Sequence, residues 1–171
     1  MLFIKRIAIL LENLYDEKEL LYPYYRLQEE GYSVDLIGAK KATPYTSKHG
    51  LPMKSDCASQ DVSADDYDAL VIPGGFSPDY MRRTQATIDF VKAMDQQKKP
   101  IAAICHGPWM MISSCDLTGR SLTGFHSVKV DIENAGATYL DEEVVIDKNY
   151  ITSRTPNDLP AFLKAILNAL A

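Results

Sequence analysis

The chain has 171 residues, enough for one domain whose core needs neither disulfides nor a structural metal. Its 18 Lys and Arg against 23 Asp and Glu leave a net charge of −5, dispersed along the chain, which excludes the basic footprint of a nucleic-acid or anionic-membrane binder. Cys57, Cys105 and Cys115 lack disulfide or metal spacing and suit a reduced, cytoplasmic compartment, and His49, His106 and His126 are too scattered to suggest a metal site.

Residues 2–11 are apolar, but Lys5 and Arg6 interrupt the run and no small-residue cleavage site follows, so residues 4–11 predict a buried strand rather than a signal peptide or membrane span. The loop Glu12-Asn13-Leu14-Tyr15 leads into a helix from near Asp16, whose acids Asp16, Glu17 and Glu19 complement the positive helix end. Gly31 stops that helix, and Pro23 inside it predicts a bend or a loose first turn. Residues 33–37 predict a second strand, and the polar segment 40–54 a small hairpin around His49-Gly50. After a turn at Asp65, Asp66 and Asp68, residues 69–72 predict a strand ending in Pro73-Gly74-Gly75. The two glycines read either as a tight connection or as backbone N–H groups turned into a site.

Ser77-Pro78-Asp79 has the form of an N-cap followed by proline in the first helical turn. Residues 84–97 continue as helix with Ile88, Val91 and Met94 inward, and Lys98-Lys99-Pro100 closes it. Further on, residues 109–114 predict a buried helix, 121–123 a brief strand, and 128–135 a helix stopped by Gly136. Residues 144–146 and 150–153 predict strands joined around Asp147-Lys148-Asn149, and an amphipathic helix from Asp158 presents Phe162, Ile166 and Leu170 on one face. The alternation predicts an α/β fold: a flavodoxin-like three-layer sandwich, single-domain over 1–171, with a mainly parallel sheet and helices on both faces.

Within that frame, Ile101-Ala102-Ala103-Ile104-Cys105-His106-Gly107-Pro108 reads as a buried strand, a sharp turn and a helix start. A cysteine at such a nucleophile elbow is exposed at the turn, and the helix N-terminus behind it lowers a thiol pKa, so Cys105 is a candidate thiolate nucleophile. It also reads as a small core residue. Ligand sites of parallel sheets lie at the carboxyl ends of the strands, and three loops leave those ends: 12–19, 74–79 and 105–108.

The chain resembles the ThiJ/PfpI family, the intracellular-peptidase-like and glyoxalase- or deglycase-like relatives of class I glutamine amidotransferase domains. The resemblance spans nearly the whole chain and rests on Tyr15-Asp16-Glu17-Lys18-Glu19, Lys48-His49-Gly50, Asp68-Ala69-Leu70-Val71-Ile72-Pro73-Gly74-Gly75, Ser77-Pro78-Asp79, Ala103-Ile104-Cys105-His106-Gly107-Pro108, Asn134-Ala135-Gly136-Ala137 and Ser153-Arg154-Thr155-Pro156-Asn157-Asp158-Leu159. It implies that Cys105 is the nucleophile, that Glu19 is the acid approaching its sulfur, and that the N–H groups of Gly75, beside Gly74, and of His106 form the oxyanion site. It also implies that His106 pairs with an acid of a neighbouring subunit at the position of Asp79, where the family usually carries glutamate. His126 stands where the family usually has proline, and reads as a solvent-facing loop residue or as a second acid–base group at the pocket; Arg154 is a further candidate for substrate binding.

The implied function is a cysteine-dependent enzyme, free of cofactor and metal, that acts on small reactive carbonyls, with Glu19 as proton shuttle. The alternatives are a peptidase or amidase using Cys105, His106 and Asp79 across a subunit interface, or a redox-sensing or chaperone-like stress protein in which Cys105 is oxidised beside Glu19. The expected partners are a small carbonyl, acyl or peptide substrate and further copies of the chain, a dimer or higher with the site near an interface, without nucleic acid or membrane.

Overall fold

The computed structural model describes residues 3–171, so Leu2 of the N-terminal apolar run lies outside the described residues. Strand β1 (Arg6–Leu10) starts two residues later than predicted, because Ile4 is exposed and only Ile7 to Leu10 are fully enclosed. Helix α1 (Glu17–Glu29) is capped by Asp16, whose carboxylate accepts the N–H groups of Lys18 and Glu19 at 3.0 and 3.3 Å. It runs unbroken through the buried Pro23 and ends in a Schellman turn, with Tyr32 N–H on the Leu27 carbonyl and Gly31 in the left-handed region.

Strand β2 (Ser33–Gly38) follows, then the expected hairpin of β3 (Pro44–Thr46) and β4 (Pro52–Lys54). The two-residue edge strand β5 (Cys57–Ala58) is too short to carry a period and was not anticipated. After β6 (Ala69–Ile72), helix α2 (Ser77–Met81) begins one residue earlier than the capping pattern suggested. Ser77 is itself helical, and its hydroxyl donates to the Gly74 carbonyl at 2.7 Å instead of capping. Helix α3 (Gln85–Gln96), strand β7 (Ile101–Ile104) and helix α4 (Pro108–Ser114) follow in the predicted order.

Strand β8 (Ser121–Leu122) pairs not with the main sheet but with the unanticipated β9 (Thr138–Tyr139), across helix α5 (Lys129–Asn134). A 3₁₀ turn at His126–Val128 takes the first part of the helix expected from Val128. The antiparallel pair β10 (Val145–Asp147) and β11 (Tyr150–Ser153) and the terminal helix α6 (Leu159–Leu170) complete the chain.

The seven-stranded sheet has the order β10-β11-β7-β6-β1-β2-β5, and only β10 runs antiparallel. Strand alternation sorts the core into two layers. Ala8, Leu10, Leu70, Ile72, Ile101 and Ala103 pack with Phe90, Met94, Met110 and Ile132 of α3, α4 and α5. Ile7, Ile9, Val71, Ala102 and Ile104 pack with Leu20, Leu27, Phe162 and Ile166 of α1 and α6. From β1 the chain builds outward to β2 on one side and later to β6 and β7 on the other, so the crevice lies where the loops after β1, β6 and β7 meet.

Candidate active site

Cys105 follows β7 with φ +63°, a left-handed conformation that costs a non-glycine residue energy and survives only when its surroundings enforce it. Here they do: Cys105 N–H donates to the Ser153 carbonyl at 3.0 Å, and its own carbonyl accepts Phe125 N–H at 2.8 Å. The turn aims the sulfur across the β6 loop at the first turn of α1.

Glu19 is fully buried there. Its Oε1 accepts the Gly74 N–H at 2.9 Å, while Oε2 is enclosed without a hydrogen-bond partner, and the Cys105 thiol is near enough to act on the carboxyl. Gly74 separates the two, and a Cβ on it would sit 2.6 Å from Glu19 Oε1 and 2.9 Å from Cys105 Cβ. Gly75, at φ +69°, is equally constrained, since a Cβ there would meet the Leu14 carbonyl at 2.4 Å. The double glycine is thus what lets acid and sulfur meet.

Burial, then the charge of Asp16, pushes the Glu19 carboxyl up to about 8, against the opposing pull of the Gly74 N–H and Lys48. Burial, then Glu19, likewise pushes the Cys105 thiol up to about 12, although the N–H groups of His106 and Gly75 favour the anion. This corrects the expectation of a low-pKa thiolate. Cys105 is 9% exposed, and desolvation of the anion outweighs the His106 and Gly75 N–H groups that favour it. At rest the site therefore holds a thiol beside a protonated carboxyl.

The His106 ring is half-buried, with Nδ1 3.3 Å from the Cys105 sulfur and Nε2 3.4 Å from Ser127 Oγ. It stacks on Phe125 with ring centres 5.0 Å apart and meets Trp109 edge-on at 4.9 Å. Burial, then the charges of Lys48 and His126, lowers its pKa, so the imidazole is neutral at pH 7. Asp79 does not join it within the chain: its carboxylate pairs with Arg83 at 2.6 Å and Arg82 at 3.6 Å, and the group at His106 Nε2 is Ser127.

A cleft of about 420 Å³ opens over the sulfur, walled by Phe76, Phe125, Thr155, Lys18 and Lys48. His126 and Arg154 lie outside it, in an adjoining groove of about 210 Å³ that shares Phe125 and Thr155 with the cleft. Arg154 is committed to Asp158 through Nε and NH2, at 2.9 and 3.1 Å, and to Asp141 through NH1 at 3.0 Å. The sequence reading assigned no role in the site to Ser127, Phe76, Thr155 or Lys48. Of these only Lys48 carried a signal, as part of the Lys48-His49-Gly50 motif.

A flavodoxin-like α/β sandwich with a cysteine on a strained strand-to-helix turn, and a buried acid brought to it in the first turn of the helix after the first strand, defines a class of α/β folds with a cysteine site at one sheet edge. Within it, the chain belongs to the DJ-1/PfpI family, whose model matches residues 5–169. It is 46% identical over 97% of its length to the Bacillus subtilis protein named "Putative cysteine protease YraA", covering 98% of that protein. It is 41% identical over 96% of its length to "Deglycase PYRAB04690" of Pyrococcus abyssi, covering 99% of it. Among solved structures, a two-domain protein of Anabaena variabilis with DJ-1/ThiJ/PfpI-like and ferritin-like domains superposes with a TM-score of 0.95 at 42% identity; the match covers 97% of this chain and 48% of that one. DJ-1 of Schizosaccharomyces pombe superposes at 0.85 with 26% identity, covering 97% of this chain and 92% of that one. Among the described residues no helix is long and apolar enough to cross a membrane.

Proposed function

We propose that the protein is a cysteine-dependent, cofactor-independent enzyme that converts small 2-oxoaldehydes to 2-hydroxy acids and acts on the related early carbonyl adducts. The observation that carries this reading is the buried Glu19 carboxyl beside the Cys105 thiol, with a pKa raised to about 8, near the pH at which a proton shuttle works best. His106 Nδ1, neutral and 3.3 Å from the sulfur, takes the thiol proton as the sulfur adds to the aldehyde carbon. The new alkoxide, held by the N–H groups of Gly75 and His106, then takes that proton back, giving a hemithioacetal. Ionised Glu19 removes the hydrogen from the former aldehyde carbon and returns a proton to the neighbouring carbonyl carbon, while the hemithioacetal hydroxyl proton passes to the neighbouring carbonyl oxygen, leaving a thioester beside a hydroxyl group. The electron pair stays in the substrate, so one carbon is oxidised as its neighbour is reduced and no external electron carrier takes part. Water cleaves the resulting thioester, releasing the 2-hydroxy acid and restoring the thiol. The deglycase names among the relatives agree with this chemistry.

The test is turnover of methylglyoxal, a glycated amino acid and a fluorogenic peptide by the wild type and Cys105→Ala. Loss of methylglyoxal turnover in Cys105→Ala is expected, and full retention overturns the reading.

A second reading, peptide or amide cleavage, is favoured by the His106–Cys105 contact and by the protease name of one relative. It requires an acid at His106, which Asp79 could supply only from another subunit after giving up Arg82 and Arg83. Cleavage of the peptide by a monomer, or undiminished cleavage by Asp79→Asn, removes it.

A further inference from the structure

The hairpin β3–β4 gives the core Tyr45 and, at its edge, Met53, and it is fastened to the loop after β1 at many further points. Leu14 N–H donates to the Thr46 carbonyl at 2.8 Å, Lys48 N–H to the Tyr15 carbonyl at 3.1 Å, and Tyr15 OH to the Leu51 carbonyl at 2.6 Å. Glu17 ties down the tip, accepting the Ser47 hydroxyl and the His49 N–H and meeting His49 Nδ1 at 2.9 Å. This clamp brings the Lys48 ammonium to the cleft wall, 2.6 Å from Asp16 Oδ2 and near enough to Glu19, Cys105 and His106 for its charge to act on all three.

The charges facing the cleft then do not balance. Asp16 is matched by Lys48, Glu17 is turned to the hairpin, Glu19 is buried, and His106 is uncharged. Lys18, also on the cleft wall, has no acidic partner among the described ion pairs. In a protein of net charge −5 this makes the reactive crevice a local positive site, and low-dielectric walls concentrate such a field.

We propose that Lys18 and Lys48 form an anion subsite, and that the preferred substrates are carbonyl compounds bearing a carboxylate or phosphate group. This rests on the carbonyl reading above only for which end of the ligand reaches Cys105; the subsite itself can be read without catalysis. A bound anion shares the Lys48 ammonium with Asp16 and meets Lys18 directly, through charge-assisted hydrogen bonds.

The experiment is protection of Cys105 from iodoacetamide, followed by peptide mass mapping at low ionic strength. Two pairs of probes are compared: 4-oxopentanoate with its methyl ester, and dihydroxyacetone phosphate with dihydroxyacetone. The anionic member of at least one pair is expected to protect at about tenfold lower concentration, and the pair that does so identifies carboxylate or phosphate as the recognised group. Lys18→Gln, which breaks no ion pair, should reduce the preference several-fold, Lys48→Met should abolish it, and added salt should erode it in the wild type. Equal protection by anionic and neutral probes of both pairs in the wild type overturns the proposal, as does a preference unchanged in both variants. Methylglyoxal turnover measured alongside reports separately on the carbonyl chemistry.

Discussion

Replacing Glu19 by glutamine tests the electrostatics of the site without altering its shape. A glutamine Oε1 can keep the Gly74 N–H bond, and its Nε2 can take the place of the buried, unpartnered Oε2. The Glu19 carboxyl moves from 4.5 to about 8 on folding, so the folded state holds its proton more tightly than the unfolded chain. Stability from this group is therefore fully present below the unfolded value and is lost as pH rises, completely so only above the folded value. At 1.36 kcal/mol per unit the penalty is about 3 kcal/mol at pH 7 and about 5 kcal/mol by pH 9. Glu19→Gln escapes it. Urea unfolding at pH 5, 7 and 9 should give stabilities within about 1 kcal/mol of each other at pH 5 and a glutamine variant increasingly more stable toward pH 9. Stability curves that stay parallel across that range would mean that Glu19 is already ionised in the folded protein at neutral pH, and the argument would fail.

Gly74→Ala drives a methyl group between Glu19 and Cys105, and turnover should fall by about a hundredfold or more as the two are displaced. In the proposed reaction Glu19 acts as a base only when ionised, so turnover by the wild type should rise with pH through about 8, and a profile that stays flat from pH 6 to 9 would contradict that role. Arg154→Ala strips the buried Asp158 of its guanidinium partner and should lower stability by about 1.5–3 kcal/mol in urea unfolding.

The main architecture was legible because its strands are four- to six-residue apolar runs bounded by Gly, Pro and charge, and its long helices carry a clear inner stripe. The turn at Cys105 was legible for the same reason, with Ile101–Ile104 before it and Pro108 after it. Strands β5 and β9, two residues each, exist only through their partners β2 and β8, so no local period reveals them. Ser77 misled by one residue because its hydroxyl found the Gly74 carbonyl, a contact set by the tertiary turn.

At the site, the residues brought to one sheet edge could be foreseen, but the balance between burial and the N–H groups that favour the anion could not. That balance is set by how deeply Cys105 and Glu19 are enclosed, and it reversed the expected direction for the thiol. Lys48 was overlooked because a loop lysine gains meaning only once the hairpin is fastened over Asp16. The role of Asp79 is implied by the family resemblance as an acid acting across subunits, and within the chain Arg82 and Arg83, its near neighbours on one helical turn and just beyond it, hold its carboxylate.

In the proposed reaction the Cys105 sulfur adds to the carbonyl and Glu19 then moves the proton. Intact-protein mass spectrometry of Glu19→Gln mixed with methylglyoxal examines both steps at once. A one-to-one adduct is expected to accumulate on Cys105 while the 2-hydroxy acid fails to form. An unmodified Cys105, or an adduct that turns over at the wild-type rate, would contradict that reaction.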